Sequence, residues 1–236
     1  MNDNIIENLV KSIEKYRLSP INCTNYDNYI FKQLKYNCGF MVFGKDVYDK
    51  KKNSTICKKL GQTIYKERLY YCEQIPNKTS EHSIIFILFN PSKACPEFRD
   101  CTIQNCYNLI KNEKYNYSCM EILNVFSSRN PEVDKKNLKN FDNTNNLKFI
   151  EKFLENRKHS DVVIGWGYGK ENDYSEEINK IKNILRQCKL NLFYIGFDIE
   201  NKQNIDELGK KQRHPGSQCW SALGGFECAT LKETAI

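Results

Sequence analysis

The sequence has no long hydrophobic run and little histidine, and both absences narrow the kinds of protein that it can encode. Its longest apolar run covers Ile84 to Phe89, whereas a membrane-spanning helix needs about 20 apolar residues. Only three histidines are present, and none of the eleven cysteines forms a C-x-x-C pair. We therefore expect no transmembrane helix, no metal site, no cofactor and no disulfide framework.

The opening of the chain also lacks the features of a secretory signal. Its first residues, MNDNIIENLV, contain no basic stretch followed by an apolar core and a small-residue cleavage site. Cysteines that are not arranged as a disulfide framework suit a reducing compartment. We therefore expect a cytoplasmic protein, and we expect it to be a monomer.

Positive charge is concentrated in one part of the chain. The net charge is +7, and residues 41–70 carry eight cations against three anions. Cations neutralise phosphates and the interleaved aromatic rings of this segment can stack on bases, so the segment suits a nucleic acid. A solvated lysine face explains it equally well. We predict an N-terminal basic extension over residues 1–60 and an α/β domain over residues 61–236.

Hydrophobic spacing divides the chain into alternating helices and strands. Helices are predicted over four segments: residues 4–17, 103–110, 147–154 and 178–188. Buried strands are predicted over four apolar runs: residues 84–89, 120–125, 161–166 and 192–196. This alternation predicts a three-layer α/β/α fold with a central four-stranded parallel sheet, preceded by the N-terminal helical and basic extension.

Polar or glycine-bearing turns follow the predicted strands. The turns include Asn90-Pro91 after the first strand, Asn124 at the end of the second, Gly165-Trp166-Gly167 after the third, and a later Arg213-His214-Pro215. Parallel sheets bind ligands outside the carboxyl ends of their strands, so we expect these turns to meet at one site. Cations beside His214 should lower its pKa and favour a neutral imidazole.

Five motifs in this order match the pattern of a bacterial family of unassigned function, over about residues 65–218. They are Phe89-Asn90-Pro91-Ser92, Asp100-x-Thr102-Ile103, Leu123-Asn124-Val125-Phe126 with Arg129, Asp161-Val162-Val163 to Trp166-Gly167, and Arg213-His214-Pro215. That family resembles the uracil-DNA glycosylase superfamily. The resemblance implies the glycosylase version of the α/β/α fold, DNA as the partner, and hydrolysis of an N-glycosidic bond.

The resemblance also implies roles for individual residues. Asn90 would orient the attacking water, His214 would hydrogen-bond the leaving base, and Asn124 would recognise the pyrimidine edge. Asp100 is a second candidate for the carboxylate that Asn90 lacks. The base would also contact Ser92, Phe98 and Trp166, although Phe98 suits a core position equally well. DNA contacts are expected from a basic set: Lys50, Lys51, Lys52, Lys93, Arg129, Lys210, Lys211 and Arg213.

One departure from uracil-specific enzymes concerns the substrate. Ser92 stands where those enzymes have a bulky tyrosine that blocks substituents at pyrimidine C5, so it would leave space for a 5-substituted base. We expect a monofunctional DNA glycosylase for a flipped modified or damaged pyrimidine, including hypermodified phage cytosines, with anti-phage defence as its role. Two alternatives stay open: a nucleoside or nucleotide hydrolase or sensor with the same fold, and a non-catalytic DNA-binding module, which Asn90 in place of a carboxylate favours.

Overall fold

The structure, a computed structural model, describes residues 3–17, 25–26, 28–46, 65–91, 94–129, 141–167, 170–197, 214–216 and 229–234. They form five helices: α1 (Asp3–Arg17), α2 (Cys101–Lys111), α3 (Thr144–Glu155), α4 (Lys170–Asp173) and α5 (Ser175–Gln187). They also form nine strands: β1 (Asn25–Tyr26), β2 (Tyr29–Gln33), β3 (Gly39–Gly44), β4 (Arg68–Gln74), β5 (Ser83–Leu88), β6 (Cys119–Asn124), β7 (Asp161–Ile164), β8 (Asn191–Phe197) and β9 (Ala229–Glu233). No helix among them is both long and apolar enough to cross a membrane.

The nine strands belong to one sheet, in the order β1-β2-β3-β4-β6-β5-β7-β8-β9. Three neighbouring pairings, β6 with β5, β5 with β7, and β7 with β8, are parallel. The other five pairings are antiparallel. The sheet is therefore mixed, with more antiparallel than parallel pairings.

The predicted three-layer fold is wrong in its sheet, which is not a central four-stranded parallel sheet but a nine-stranded mixed one. The four predicted strands exist as β5 to β8, but five further strands extend the sheet on both sides. Strand β4 pairs antiparallel with β6, and β9 pairs antiparallel with β8. Apolar runs show which segments are buried, whereas the number of strands in a sheet depends on pairing between segments that are distant in the chain.

The described residues of the predicted N-terminal helical and basic extension contribute a helix and strands to the same fold as the rest of the chain. Helix α1 exists, but β2 and β3 follow it and join the main sheet through the pairing of β3 with β4. The buried face of α1, which includes Ile6, Leu9 and Ile13, packs in the core with α3. The predicted domain boundary between residues 60 and 61 lies outside the described residues.

Helices cover both faces of the sheet. Helices α1, α3 and α5 pack on one face, where Phe149 of α3 shares a buried cluster with Ile85 of β5. Helix α2 packs on the opposite face, where Ile103 shares a second cluster with Phe86 of β5. We call this second side the α2 face. Successive residues of β5 point to opposite faces, as expected for a strand that is buried on both sides.

A buried carboxylate ties α1 to the sheet. Glu121 of β6 is 0% exposed and accepts a hydrogen bond from the Tyr70 hydroxyl at 2.5 Å. It also accepts from Arg157 Nη2 at 3.0 Å and from Arg17 Nη1, at the end of α1, at 3.3 Å. A carboxylate can be buried at tolerable cost only when its charge is paired and its oxygens are hydrogen-bonded, so this network fixes α1 on the sheet.

Candidate functional site

The parallel pairings bring three of the predicted turns to the same end of the sheet, at the carboxyl ends of its parallel strands. We call this end the carboxyl edge. Strand β5 lies between β6 and β7 and runs parallel to both, so the three strands end on the same side. Asn90 follows β5, Asn124 ends β6, and Gly165-Trp166-Gly167 follows β7. The sequence-distant turn at 214–216 reaches the same edge, because Asn105 of α2 donates a hydrogen bond to the Pro215 carbonyl at 2.7 Å.

The two glycines around Trp166 make room for this turn. A Cβ on Gly165 would lie 2.8 Å from Leu88 Cδ2 and 3.6 Å from Pro215 Cδ. A Cβ on Gly167 would lie 3.0 Å from His214 Cβ, and the φ angle of Gly167 is +93°, a conformation that L side chains rarely adopt. The Gly-Trp-Gly motif therefore serves the close approach of His214 to the end of β7.

His214 is held as a neutral imidazole with a defined tautomer. Its pKa is lowered to about 4, mainly by burial; Asp100 acts in the opposite direction, and the charge of Lys170 acts in the same direction as burial. The predicted direction of the pKa shift is confirmed, but burial, not neighbouring cations, is the main cause. The Gly216 N–H donates to His214 Nδ1 at 3.0 Å, so the single proton of the neutral ring resides on Nε2. At neutral pH the His214 ring is therefore an uncharged hydrogen-bond donor through Nε2.

Burial of neutral His214 should make the free energy of unfolding depend on pH. Its folded pKa of about 4 lies below the ordinary value of 6.5, so the unfolded chain takes up the proton first as pH falls. The contribution of His214 to the free energy of unfolding is therefore most favourable above pH 6.5, and it decreases as pH falls from 6.5 toward 4. Between pH 7 and pH 5 we expect this residue to account for a loss of about 2 kcal/mol, measured by urea unfolding at each pH.

Replacement of His214 by a residue that does not titrate separates its contribution to the pH dependence of stability from the contribution of the carboxylates. His214→Asn should lose about 2 kcal/mol less than the unmodified protein over the same pH interval. His82→Asn, which replaces an exposed histidine, should keep the full dependence. Equal pH dependence in His214→Asn and the unmodified protein would show that His214 is not buried as the neutral ring.

Asn124 is a buried amide whose hydrogen bonds are unmade. It is 1% exposed, and neither Nδ2 nor Oδ1 has a hydrogen-bond partner among the described residues. Side-chain alternation along β6 places it on the α2 face with Ile122, and Asn146 Nδ2 donates to its backbone carbonyl at 3.0 Å. A buried polar group without partners costs about 1–3 kcal/mol, so a fold that keeps one at the end of a strand has a donor and an acceptor ready for a ligand.

The structure gives Asn90 and Asp100 local hydrogen bonds. Asn90 is half-buried, and its Nδ2 donates to the Pro91 carbonyl at 3.3 Å. Asp100 caps α2, because its Oδ1 accepts from the Ile103 N–H at 3.0 Å and its Oδ2 accepts from the Ala94 N–H at 3.2 Å. Asp100 therefore connects the segment after β5 to the start of α2 and fixes the position of that segment. The roles of Asn90 in orienting water and of Asp100 as a catalytic carboxylate stay predictions.

Three other predicted site residues differ in where their side chains lie. Trp166 is 0% exposed and packs in the cluster on the α1 side of the sheet, away from the α2 face that Asn124 occupies. Arg129, predicted to contact DNA, is 5% exposed and its Nη2 donates to the Ala94 carbonyl at 2.9 Å. Phe98 is half-buried and belongs to neither core cluster. Short motifs identify such residues without showing which way each side chain points.

The remaining predicted site residues lie outside the described residues. They are Ser92, Lys93, Lys50, Lys51, Lys52, Lys210, Lys211 and Arg213. Within the part of the chain that the structure describes, no group of three or more His, Cys, Asp or Glu side chains could hold a metal ion.

Sequence reasoning missed three charged residues at this edge. Lys170 begins α4, where its Nζ lies 4.7 Å from the Phe89 ring centroid and its charge acts on His214. Glu67 precedes β4 and accepts a hydrogen bond from the Ser127 hydroxyl at 3.2 Å, and burial raises its pKa. Arg68 is buried at the start of β4. Nothing in the local sequence marks Glu67 and Arg68, because β4 reaches this edge only by pairing with β6.

The comparisons with known proteins give one match. No curated protein and no solved structure matches the chain. A family model described as "Protein of unknown function (DUF1643)" matches residues 70–215, a span that holds the described site residues from Asn90 to Pro215. Because this span is more than half of the sequence, the chain belongs to the DUF1643 family.

Proposed function

We propose that this protein is a monofunctional DNA glycosylase that hydrolyses the N-glycosidic bond of a flipped modified or damaged pyrimidine. The observation that supports the proposal most is the buried amide of Asn124, which has neither a donor partner for Oδ1 nor an acceptor partner for Nδ2 among the described residues. It shares the carboxyl edge of the sheet with His214. We propose that the enzyme acts as a cytoplasmic monomer.

An asparagine amide matches the hydrogen-bonding edge of a pyrimidine. Its NH2 group donates and its carbonyl oxygen accepts, and a pyrimidine presents one acceptor beside one donor on the corresponding edge. Enzymes that act on a base take it out of the stack and recognise it in a pocket by such bonds. In this proposal Asn124 makes in the complex the two hydrogen bonds that it does not make to any of the described residues.

His214 would stabilise the charge that develops on the base. Water attacks the sugar C1′, the bond from C1′ to the base nitrogen breaks, and the bonding electrons leave with the base as an anion. A neutral imidazole that carries its proton on Nε2 can donate a hydrogen bond to an oxygen of that anion. Asn90 would orient the water, which releases a proton to solvent and leaves an abasic sugar.

Base release from defined DNAs tests the proposal. We expect mass spectrometry to detect the free base from at least one DNA that contains uracil, a thymine mismatch, hydroxymethylcytosine or glucosylated hydroxymethylcytosine, and to leave an abasic site behind. Unmodified duplex of the same sequence is the control. If the protein binds these DNAs and releases no base from any of them, glycosylase activity is excluded on this panel and a non-catalytic module is favoured.

A second candidate function is hydrolysis or sensing of free pyrimidine nucleotides. The buried cation Arg68, on the same face of the sheet as Asn124, favours a ligand that carries its own phosphate. Such an enzyme would turn over mononucleotides, and its activity would depend little on salt because few phosphates are contacted. Assays of free nucleotides at two salt concentrations separate the two functions.

A further inference from the structure

Arg68 is a buried cation whose hydrogen bonds are largely unmade. It is 2% exposed, and its Nε and Nη1 have no hydrogen-bond partner among the described residues. The described part of the chain places no carboxylate within ion-pair distance of it; its guanidinium carbon lies 6.0 Å from the ring centroid of Tyr71. Buried guanidinium groups are normally paired with an anion, because desolvation of an unpaired charge is costly.

A second buried arginine strengthens the positive charge around Arg68. Burial is the largest cause that lowers the pKa of Arg68, to about 10, and the charge of Arg129 lowers it further. Asp100 acts in the opposite direction, but its two oxygens accept the N–H groups of Ala94 and Ile103. Geometry also places Arg129 near Arg68, because the Arg129 guanidinium carbon lies 5.3 Å from the ring centroid of Phe43, the residue of β3 that pairs with Arg68.

The fold places Arg68 on the strand next to that of Asn124 and on the same face of the sheet. Arg68 begins β4, the strand paired with β6, and its N–H donates to the Ser127 carbonyl at 2.9 Å, just past the end of β6. Val42 pairs with Tyr70 and Phe43 pairs with Arg68, so Leu69 is an extra residue in β4. Bulges of this kind redirect side chains. Here the bulge turns Arg68 toward Tyr71 on the α2 face.

We propose that Arg68 and Arg129 form a phosphate subsite, and that the ligand at this edge is a pyrimidine nucleotide whose phosphate contacts Arg68 while its base contacts Asn124. The planar guanidinium presents two N–H groups side by side, which matches two phosphate oxygens. The placement of the base rests on the proposed function; the placement of the phosphate does not. The phosphate belongs either to a free nucleotide or to a DNA backbone.

Thermal unfolding with inorganic phosphate tests the subsite. We expect phosphate to raise the Tm of the full-length protein above that in sodium chloride of equal ionic strength, because a ligand that binds the folded state stabilises it. Arg68→Met should abolish this rise, and without phosphate its Tm should be no lower than that of the unmodified protein, since an unpaired buried charge is removed. Arg68→Lys should keep the fold and reduce the rise.

The control variant is Arg186→Met, which removes an exposed arginine on α5 and should keep the full rise. The subsite is overturned if Arg68→Met keeps the phosphate-dependent rise, or if the unmodified protein shows no rise beyond that in chloride. A lower Tm of Arg68→Met with an unchanged phosphate response would assign Arg68 a purely structural role and would also overturn the subsite.

Calorimetric titration with 2′-deoxycytidine 5′-monophosphate and with 2′-deoxycytidine extends the test. The nucleotide should bind at least about tenfold more tightly than the nucleoside, and Arg68→Met should remove that difference. Displacement of the nucleotide by a single-stranded oligonucleotide would identify a DNA backbone as the source of the phosphate, and no displacement would identify a free nucleotide. If phosphate binds but no DNA base is released, the glycosylase proposal fails and the subsite stands.

Discussion

Replacement of His214 by alanine is expected to lower the rate of base release by about 100- to 1,000-fold and to leave DNA affinity nearly unchanged. This is the effect of removing one positioned donor from a site where negative charge develops. The His214 side chain is half-buried and holds its proton on Nε2, because Nδ1 accepts the Gly216 N–H. Single-turnover base release, measured with enzyme in excess over DNA, gives the rate of the chemical step directly.

Two further variants make this prediction specific. His82→Ala removes an exposed histidine that follows a loop at the opposite edge of the sheet, and it should release base at the unmodified rate. Asn90→Ala should also abolish release while DNA binding persists, because it removes the proposed water-orienting group. Unchanged release in both His214→Ala and Asn90→Ala would remove the proposed mechanism.

Replacement of Asn124 by leucine is expected to have two opposite effects. The free energy of unfolding should rise by about 1–2 kcal/mol, because a buried amide that has no hydrogen-bond partner among the described residues is replaced by an apolar side chain of similar size. Base release should fall by at least about 1,000-fold, because the polar edge of the base would then be buried without partners. Urea unfolding and single-turnover base release measure the two effects on the same preparation.

Asn146→Leu is the matched control for this result. Asn146 is also a buried asparagine, in the first turn of α3, but its Nδ2 donates to the carbonyls of Asn124 and Val125 at the end of β6. Its replacement should therefore lower stability where replacement of Asn124 raises it. A loss of stability in Asn124→Leu would show that the free protein already satisfies this amide, and would remove the main support for a base-recognition role.

Replacement of these two asparagines is expected to change the free energy of unfolding in opposite directions, and this difference indicates why the fold keeps an asparagine at position 124. A fold that needed Asn124 only for packing would have an apolar residue there, since Leu88 and Ile122 on the same face are apolar. Retention of an unsatisfied amide at the end of a buried strand reduces stability in exchange for a preformed hydrogen-bonding group. Arg68, on the neighbouring strand β4, is a second buried polar side chain with atoms that have no hydrogen-bond partner among the described residues, and it carries a charge.

The amino-acid sequence by itself determined the elements around the site. Strands β5 to β8 and helices α1, α2, α3 and α5 lie where hydrophobic spacing predicts them, because burial of an apolar run or stripe is a local property of the chain. The turns that carry Asn90, Asn124 and His214 were identified in the same way, since asparagine, glycine and proline mark strand ends.

Tertiary structure alone decided the extent of the sheet and the composition of the site. Strands β4 and β9 join the sheet through antiparallel pairing with β6 and β8, which are distant from them in the sequence, and β1 to β3 extend the sheet beyond β4. Such pairing leaves no clear period in a mixed, turn-rich segment. That pairing carries Arg68 to the end of β6, and a bulge turns it to the α2 face. The direction of a side chain likewise depends on its neighbours, which is why Trp166, Arg129 and Asn124 are all buried although only the Asn124 amide has no hydrogen-bond partner for either of its polar atoms among the described residues.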